Sequence, residues 1–405
     1  MRVAVAGLGG FAASHHAALA KLEAEGHVRV VGACDPAFAS MPEACGKLKE
    51  RGVPVFDSLE AMIRAARPEI VTLPTPIPLH APMHRAVVRS GAACYLEKPP
   101  TLWWPELQEM IAEDSKASHA TQVGFNFIAD PMRTALKHRI LDGEFGPLQA
   151  VTLRMVWPRD AAYYGRNDWA GRLKVRDRWV LDSPIGNAMA HYIQNALYWC
   201  GPTVDQVGSL LSVRAILGRV HPIDSYDTAF VSAEMENGAT IRIAATHAQQ
   251  TGFVETETLH LRDASIEFDS WRTGLVRRGD GRQEVLTSGI PDQGAILYHN
   301  LQRYARYVRG LEDRTATSLK DSRSFVALCG LALVSAGTIS EFPESRVRLE
   351  EGRRWVEGLD EELFLFAGKG IWPGLEPRSC GLEELSDLEG SVLRIENMSA
   401  AHGRG

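Results

Sequence analysis

A lysine, Lys98, stands inside the tripeptide Glu97-Lys98-Pro99, directly after the strand-like run Ala93-Cys94-Tyr95-Leu96. Near the start of the chain a glycine-rich turn, Gly7-Leu8-Gly9-Gly10-Phe11-Ala12, follows the apolar run Val3–Ala6. An ammonium at a strand end can reach whatever such a turn binds. Nearby positive charge or burial lowers its pKa and makes it useful as an acid. Lys98 is therefore a candidate catalytic residue rather than one more solvated charge.

The glycine turn reads as a phosphate-binding element. Gly7-x-Gly9-x-x-Ala12 follows a strand and opens a helix, which matches the dinucleotide fingerprint with Ala in the third place. Gly7 permits the tight turn, Gly9 lets the backbone approach a pyrophosphate, and Ala12 keeps helix and sheet close. The helix N-terminus offers N–H groups and a positive dipole to the phosphates. Asp35 closes the next strand, Val28–Cys34, where a carboxylate accepts from both ribose hydroxyls of NAD and repels the 2′-phosphate of NADP. No Arg or Lys lies between Pro36 and Met41 to receive that phosphate. NAD is thus the expected cofactor, with NADP disfavoured.

These residues need elements to position them. Residues 1–120 alternate short apolar runs with helical patterns, as a parallel α/β sheet requires. Ile70–Leu73 runs into Pro74-Thr75-Pro76, Ala81–Ser90 reads as a helix, and Pro99-Pro100 fixes the exit after Lys98. Gln122–Phe127 reads as a last strand crossing into a second domain. There Leu148–Trp157, Asp205–Arg214, Ala229–Glu236, Thr240–Thr246, Thr256–Arg262 and Ala264–Asp269 alternate apolar and polar residues, the mark of an antiparallel sheet with one covered face. Asn237-Gly238 signals a hairpin. Helical patterns cover Asn187–Trp199, Ile296–Leu311 and Lys320–Ser340. The expected domains are 1–123, 124–345 and an appended, partly docked segment 346–405 with Met398–Gly405 frayed.

The 405 residues, 45% hydrophobic and 23% charged, suit an ordinary globular chain of two domains. A formal charge of −6 gives no reason to expect nucleic acid. Six cysteines without CxxC spacing argue against a disulfide framework or zinc site. His80 and His84 have the helical spacing of a zinc pair but no third ligand, so no metal is expected. No run approaches the roughly 18 apolar residues of a membrane span, and the apolar start breaks at Gly7, so a cytoplasmic protein is expected.

With Gly7-Leu8-Gly9-Gly10-Phe11, Thr75-Pro76 followed by His80, Glu97-Lys98-Pro99, Val123-Gly124-Phe125-Asn126 and a helix opened by Asp321-Ser322-Arg323, residues 1–345 resemble the glucose-fructose oxidoreductase / inositol dehydrogenase / MocA family. The resemblance implies an α/β Rossmann domain followed by an α+β domain with an open, mainly antiparallel sheet. It also implies NAD(P)-dependent oxidation or reduction of a sugar, cyclitol or related polyol. Thr75, Pro76 and His80 would lie near the cofactor, Lys98 near the reacting carbon, and two or four copies would associate through the C-terminal sheet.

Oxidising an alcohol requires removing the hydroxyl proton as hydride leaves carbon, with a cation favouring the alkoxide-like oxygen. Lys98 suits the second task and His191 the first. Asn187, His191 and Gln194 share a face of a regular helix. Family members carry Asp four residues before this histidine and often three after it, so Asn187 and Gln194 are departures. An amide donates as well as accepts, which predicts a lower-titrating His191 and a substrate presenting an acceptor such as a carboxylate. Asn126, Trp169 and Arg172 are further candidates for substrate contact. A usual Arg is replaced at Phe127-Ile128. Two alternatives stay open: a redox-neutral glycosidase that uses retained NAD, and a non-catalytic nucleotide-sensing protein.

Overall fold

The computed structural model describes residues 1–350 and 352–402, with side chains described to residue 397. The chain divides into two compact units. The first holds Met1–Thr101, Pro105–Asp130 and Ile290–Arg323; the second holds Leu102–Trp104, Pro131–Gly289 and the chain from Ser324 onward.

In the first unit six strands form one sheet: β1 (Arg2–Ala6), β2 (Arg29–Cys34), β3 (Val55–Phe56), β4 (Ile70–Leu73), β5 (Ala93–Leu96) and β6 (Gln122–Val123). Their order is β3-β2-β1-β4-β5-β6, and every pairing is parallel. Parallel strands are covered on both faces by their crossover helices, which is why β4 and β5 read as unbroken apolar runs and are buried throughout. Val3, Val5, Leu19 and Leu22 share a core with Leu297, Leu301 and Tyr304 from the helix Gln293–Val308. All six strands point the same way, so their C-terminal ends share one edge of the sheet. The order reverses between β1 and β4, and such a switch point is where open α/β sheets bind ligands.

The second unit is built on a larger sheet. β7 (Leu148–Val156) is central, and a short hairpin pairs β8 (Lys174–Val175) with β9 (Arg178–Trp179). The strands β10 (Leu210–Arg219), β11 (Thr228–Met235), β12 (Thr240–Thr246), β13 (Val254–Leu261), β14 (Ala264–Phe268), β15 (Thr273–Arg278), β16 (Gln283–Thr287) and β17 (Ser340–Glu341) complete it in the order β16-β15-β14-β13-β7-β12-β11-β10-β17. Most pairings are antiparallel, while β7–β12 and β10–β17 are parallel. Gly238 takes φ +83° in the β11–β12 hairpin, the left-handed conformation that its Asn-Gly signal calls for.

Several local expectations change: the strand expected over Gln122–Phe127 ends at Val123 and the helix expected over Lys320–Ser340 runs Arg323–Ala336, and two further changes have a local cause. The strand expected over Asp205–Arg214 is β10, Leu210–Arg219, because the preceding residues fold back on a helix end. The Gly208 amide bonds the Leu197 carbonyl at 2.8 Å, and a Cβ on Gly208 would meet Cys200 at 2.7 Å. The helix expected from Asn187 is irregular at its start. Pro184–Ala188 forms a π-helical turn, capped by Ser183 accepting from Gly186 N, and the α-helix runs Ala190–Trp199. The Met189 amide reaches the Pro184 carbonyl at 2.8 Å, five residues back. Single π turns of this kind often occur at functional sites.

The chain beyond residue 346 returns to this sheet. β18 (Val347–Glu350) pairs with β19 (Arg353–Val356), and the helix Leu359–Lys369 lies on β7 and β12. Leu359, Leu363 and Phe366 pack with Val156, Phe230 and Ala244 in one core cluster. Val151, Leu153, Ile241 and Ile243 are buried on the alternate positions of the same strands. β20 (Cys380–Gly381) adds to β10. The final helix, Leu388–His402, enters the stretch expected to fray; residues 403–405 lie outside the described residues.

Candidate active site

In the first unit the sequence-chosen residues gather at the C-terminal edge of the parallel sheet. Gly7 follows β1, Asp35 follows β2, Thr75 follows β4, Glu97-Lys98 follow β5, and Asn126 lies three residues past β6. This placement comes from strand direction alone and needs no helix to move.

The glycine turn fits a dinucleotide. Gly7 has φ +116°, where an L side chain is strained, and its Cβ would lie 3.2 Å from that of Ala12. Among the described residues no acceptor meets the amides of Gly9, Gly10 and Phe11, just ahead of the helix Ala12–Ala24. Unmet donors at a helix N-terminus are what a pyrophosphate uses. The Asp35 carboxylate accepts from Leu8 N at 3.1 Å and from Ala37 N at 2.9 Å. Two contacts leave lone pairs free for ribose hydroxyls. The Thr75 hydroxyl is buried without a partner, a further group that a ligand would satisfy.

Two histidines lock this turn. His16 Nε2 donates to the Gly7 carbonyl at 3.0 Å, and burial holds its pKa below the usual value, so the ring is neutral. His15, fully buried, donates from Nε2 to Glu97 Oε1 at 2.9 Å. Glu97 is only 5% exposed, and its other oxygen accepts from the Lys98 amide at 3.3 Å. A Cβ on Gly124 would lie 2.8 Å from Glu97 Oε1, so the glycine after β6 makes room for this carboxylate. Glu97, chosen from sequence as a cofactor contact, thus ties β5 to the fingerprint helix and sets the backbone of Lys98.

His80 has a similar bracing place. Its nitrogens lie 2.8 Å from the Pro99 carbonyl and 2.7 Å from the Thr75 carbonyl. Burial lowers its pKa against these carbonyls, so the neutral ring donates to one of them at a time. His84, the other half of the apparent zinc pair, bonds the Thr121 hydroxyl at 3.0 Å. Asn126 accepts from the buried Tyr95 hydroxyl at 2.9 Å, and its carbonyl accepts from Asn300.

The second unit carries the other candidates. His191 is the second residue of the α-helix Ala190–Trp199 and is partly exposed, as is Asn187, while Gln194 is fully buried. The π turn takes Asn187 out of the regular helix, while His191 and Gln194 keep their i, i+3 spacing within it. Asn187 Nδ2 donates to Asp182 Oδ1 at 2.8 Å, and Asp182 Oδ2 accepts from Gly171 N at 2.7 Å. A carboxylate thus stands beside position 187 although the residue there is an amide. Arg172 is held by Asp224 at 3.0 Å. Trp169 is partly buried with the Arg166 guanidinium 5.5 Å from its ring. Sequence reasoning did not number Asp182 or Gly124 among the candidates, read Trp157 only as a strand end and passed over Pro158-Arg159. The signal for the last was an arginine among aromatics just past an alternating strand.

A family model described as an oxidoreductase family with an NAD-binding Rossmann fold matches residues 1–125, and that family's C-terminal domain model matches residues 134–267. The chain belongs to the Gfo/Idh/MocA family. Its first unit is accordingly an NAD-binding Rossmann domain. An inositol 2-dehydrogenase of Rubrobacter xylanophilus is 27% identical over 208 residues, 51% of this chain and 54% of the relative. One from Rhizobium meliloti is 31% identical over 125 residues, 31% of this chain and 37% of the relative. The chain thus matches about half or less of the length of these relatives. Among solved structures, levoglucosan dehydrogenase in complex with NADH is similar with TM-score 0.71 at 18% identity, covering 83% of this chain and 96% of that one. The WlbA dehydrogenase of Bordetella pertussis, in complex with NADH and UDP-GlcNAcA, has TM-score 0.67 at 21% identity, covering 83% and 96%. At these identities the likeness is one of fold.

Proposed function

We propose that this family member is an NAD-dependent dehydrogenase or reductase acting on a CH–OH carbon of a sugar, cyclitol or related polyol derivative. The observation that carries the reading is the lock at the edge of the Rossmann sheet: His15 holds Glu97, and Glu97 holds the amide of Lys98, beside the glycine turn. Bound NAD supplies the hydride acceptor. Lys98 hydrogen-bonds the reacting oxygen and stabilises its developing negative charge. His191 takes the hydroxyl proton in oxidation and returns it in reduction. Asp35 favours NAD over NADP by accepting from the ribose and repelling a 2′-phosphate.

The relatives that share this fold are named as dehydrogenases of inositol, levoglucosan and nucleotide-linked sugars, which supports a polyol or sugar derivative as substrate. The division of the chain into 1–123, 124–345 and 346–405, with cofactor and substrate duties in the first two parts, belongs to the same proposal. Net NADH from NAD and a panel of cyclitols, sugars, sugar acids and lactones tests it. Cleavage of an aryl glycoside without net NADH would point to the redox-neutral glycosidase, and NAD binding without any turnover to a sensor.

A further inference from the structure

Arg159 lies three residues past β7 in the second unit, and among the described residues its charge has no counter-ion. Its Nε is buried without a partner, and no carboxylate among the described residues pairs with the guanidinium. The nearby acids are otherwise engaged. Asp227 accepts from Val220 N, His221 N and His221 Nδ1, Asp182 from Gly171 N and Asn187, and Asp160 caps the Tyr163 amide. Instead of an anion, Arg159 faces aromatic rings, 4.5 Å from the centre of Tyr163 and 5.7 Å from that of Trp157. A second cation, Arg166, sits 3.6 Å from the centre of Tyr163, donates to the Tyr163 carbonyl at 2.6 Å, and among the described residues also lacks a carboxylate partner.

The arrangement is held in place. Arg159 N donates to the His247 carbonyl at 3.1 Å, His221 Nε2 meets the Arg159 carbonyl at 3.2 Å, and His247 Nδ1 meets the Trp157 carbonyl at 2.7 Å. Burial first, then the Arg159 charge, pushes the pKa of His247 down to about 3, so it adds no second charge at neutral pH. The Trp157 ring stacks on Phe253 at 5.2 Å, and Phe253 is 64% exposed. The same Trp157 ring meets Tyr192, the residue after His191, edge-on at 6.4 Å. An open aromatic platform, a guanidinium without a carboxylate partner among the described residues and the candidate proton-transfer helix are therefore neighbours within one unit.

We infer that Arg159 is an anion-recognition residue and that the substrate carries a carboxylate or phosphate group, with Trp157 and Phe253 offering a face for its sugar ring. This rests on the reading of the second unit as the substrate-holding part of a dehydrogenase. Arginines bind planar carboxylates and phosphates through paired hydrogen bonds, and aromatic faces stack on the C–H side of sugars.

The test is binding of D-glucuronate, D-glucose 6-phosphate and neutral D-glucose to the full chain saturated with NADH, followed by calorimetry or ligand-observed NMR. Wild type should bind one of the two anions at least about 10-fold more tightly than glucose, and which one identifies carboxylate or phosphate. Arg159→Gln should lose about 10- to 100-fold in affinity for that anion, keep its affinity for NADH, and be partly rescued in Arg159→Lys. Equal binding of all three ligands overturns the inference, as does an unchanged anion affinity in Arg159→Gln. If Arg159→Gln does not fold, Arg159→Lys carries the test: it keeps the charge but not the planar fork, and wild-type anion affinity there overturns the inference. The dehydrogenase reading fails separately. Anion binding through Arg159 with no NADH formed from any polyol would sink that reading alone, whereas NADH formation without an effect of Arg159 on binding would sink only the anion site.

Discussion

The Glu97 carboxylate and the His15 imidazole meet at 2.9 Å, buried, between the end of β5 and the helix that opens after the glycine turn. This pair joins the two sequence signals of the site, the fingerprint and the Glu-Lys-Pro tripeptide. It predicts that His15→Leu leaves a buried carboxylate short of one donor, costing about 1–3 kcal/mol of stability and weakening NAD binding. Urea unfolding and NADH fluorescence titration check both. Equal NAD affinity in wild type and variant would show that the pair does not position the turn.

Gly124 depends on the same carboxylate. Gly124→Ala places a methyl group against Glu97 Oε1, and overpacking of this kind costs about 1–3 kcal/mol. In a Glu97→Ala background the cost should fall by at least about half, because the obstructing oxygens are gone. Equal costs in the two backgrounds would mean that the glycine is required for another reason.

Asn187→Asp would set a second carboxylate against Asp182, at the place where Nδ2 now donates at 2.8 Å. Like charges in contact raise a carboxyl pKa in the folded state above its unfolded value. A group shifted in that direction contributes stability that is present at low pH and lost as pH rises through the folded pKa. The variant should therefore be less stable than wild type at pH 7, by about 1–3 kcal/mol, with the deficit shrinking toward pH 4. Thermal unfolding across that range decides it, and a deficit independent of pH would contradict the account. The amide at 187 then reads as an adaptation to Asp182 as much as to substrate.

The C-terminal segment covers apolar surface of the large sheet. Phe366, fully buried, packs edge-on against Phe230 at 5.5 Å, so Phe366→Ala should cost about 3–5 kcal/mol. Deleting residues 346–405 would uncover Val156, Phe230 and Ala244 together, and light scattering should then report self-association beyond that of the full chain. Two copies of the intact chain that pair through this face must use strands beyond the part that the helix Leu359–Lys369 covers.

Much of the first unit was legible because turn residues punctuate it. Gly7, Asp35, Thr75 and Lys98 each end an apolar run, and in a parallel sheet the ends of such runs share an edge whatever the crossovers do. The His15–Glu97 bond was not legible, since it joins residues 82 apart and only the packed fold sets that distance. In the second unit alternation revealed which residues face the core but not which strands are neighbours, so the parallel pairing of β7 with β12 stayed hidden. Asn187 read as the loss of an acid because residue types carry no partners; Asp182 became visible as its neighbour only through the turn around Pro184. Asn187 seemed to lie in one regular helix with His191 and Gln194 because regular helical spacing was assumed where a π turn precedes the helix.

The central claim is that Lys98 acts at the reacting oxygen of an NAD-dependent hydride transfer. Steady-state NADH formation by wild type and Lys98→Met, on whichever polyol of the panel is turned over and with NAD affinity measured alongside, tests it most directly. The account predicts NAD affinity within a few-fold of wild type and a kcat lower by about 10²- to 10⁴-fold. Wild-type kcat in Lys98→Met, or no NADH from any panel member by a wild-type protein that binds NAD, would contradict it.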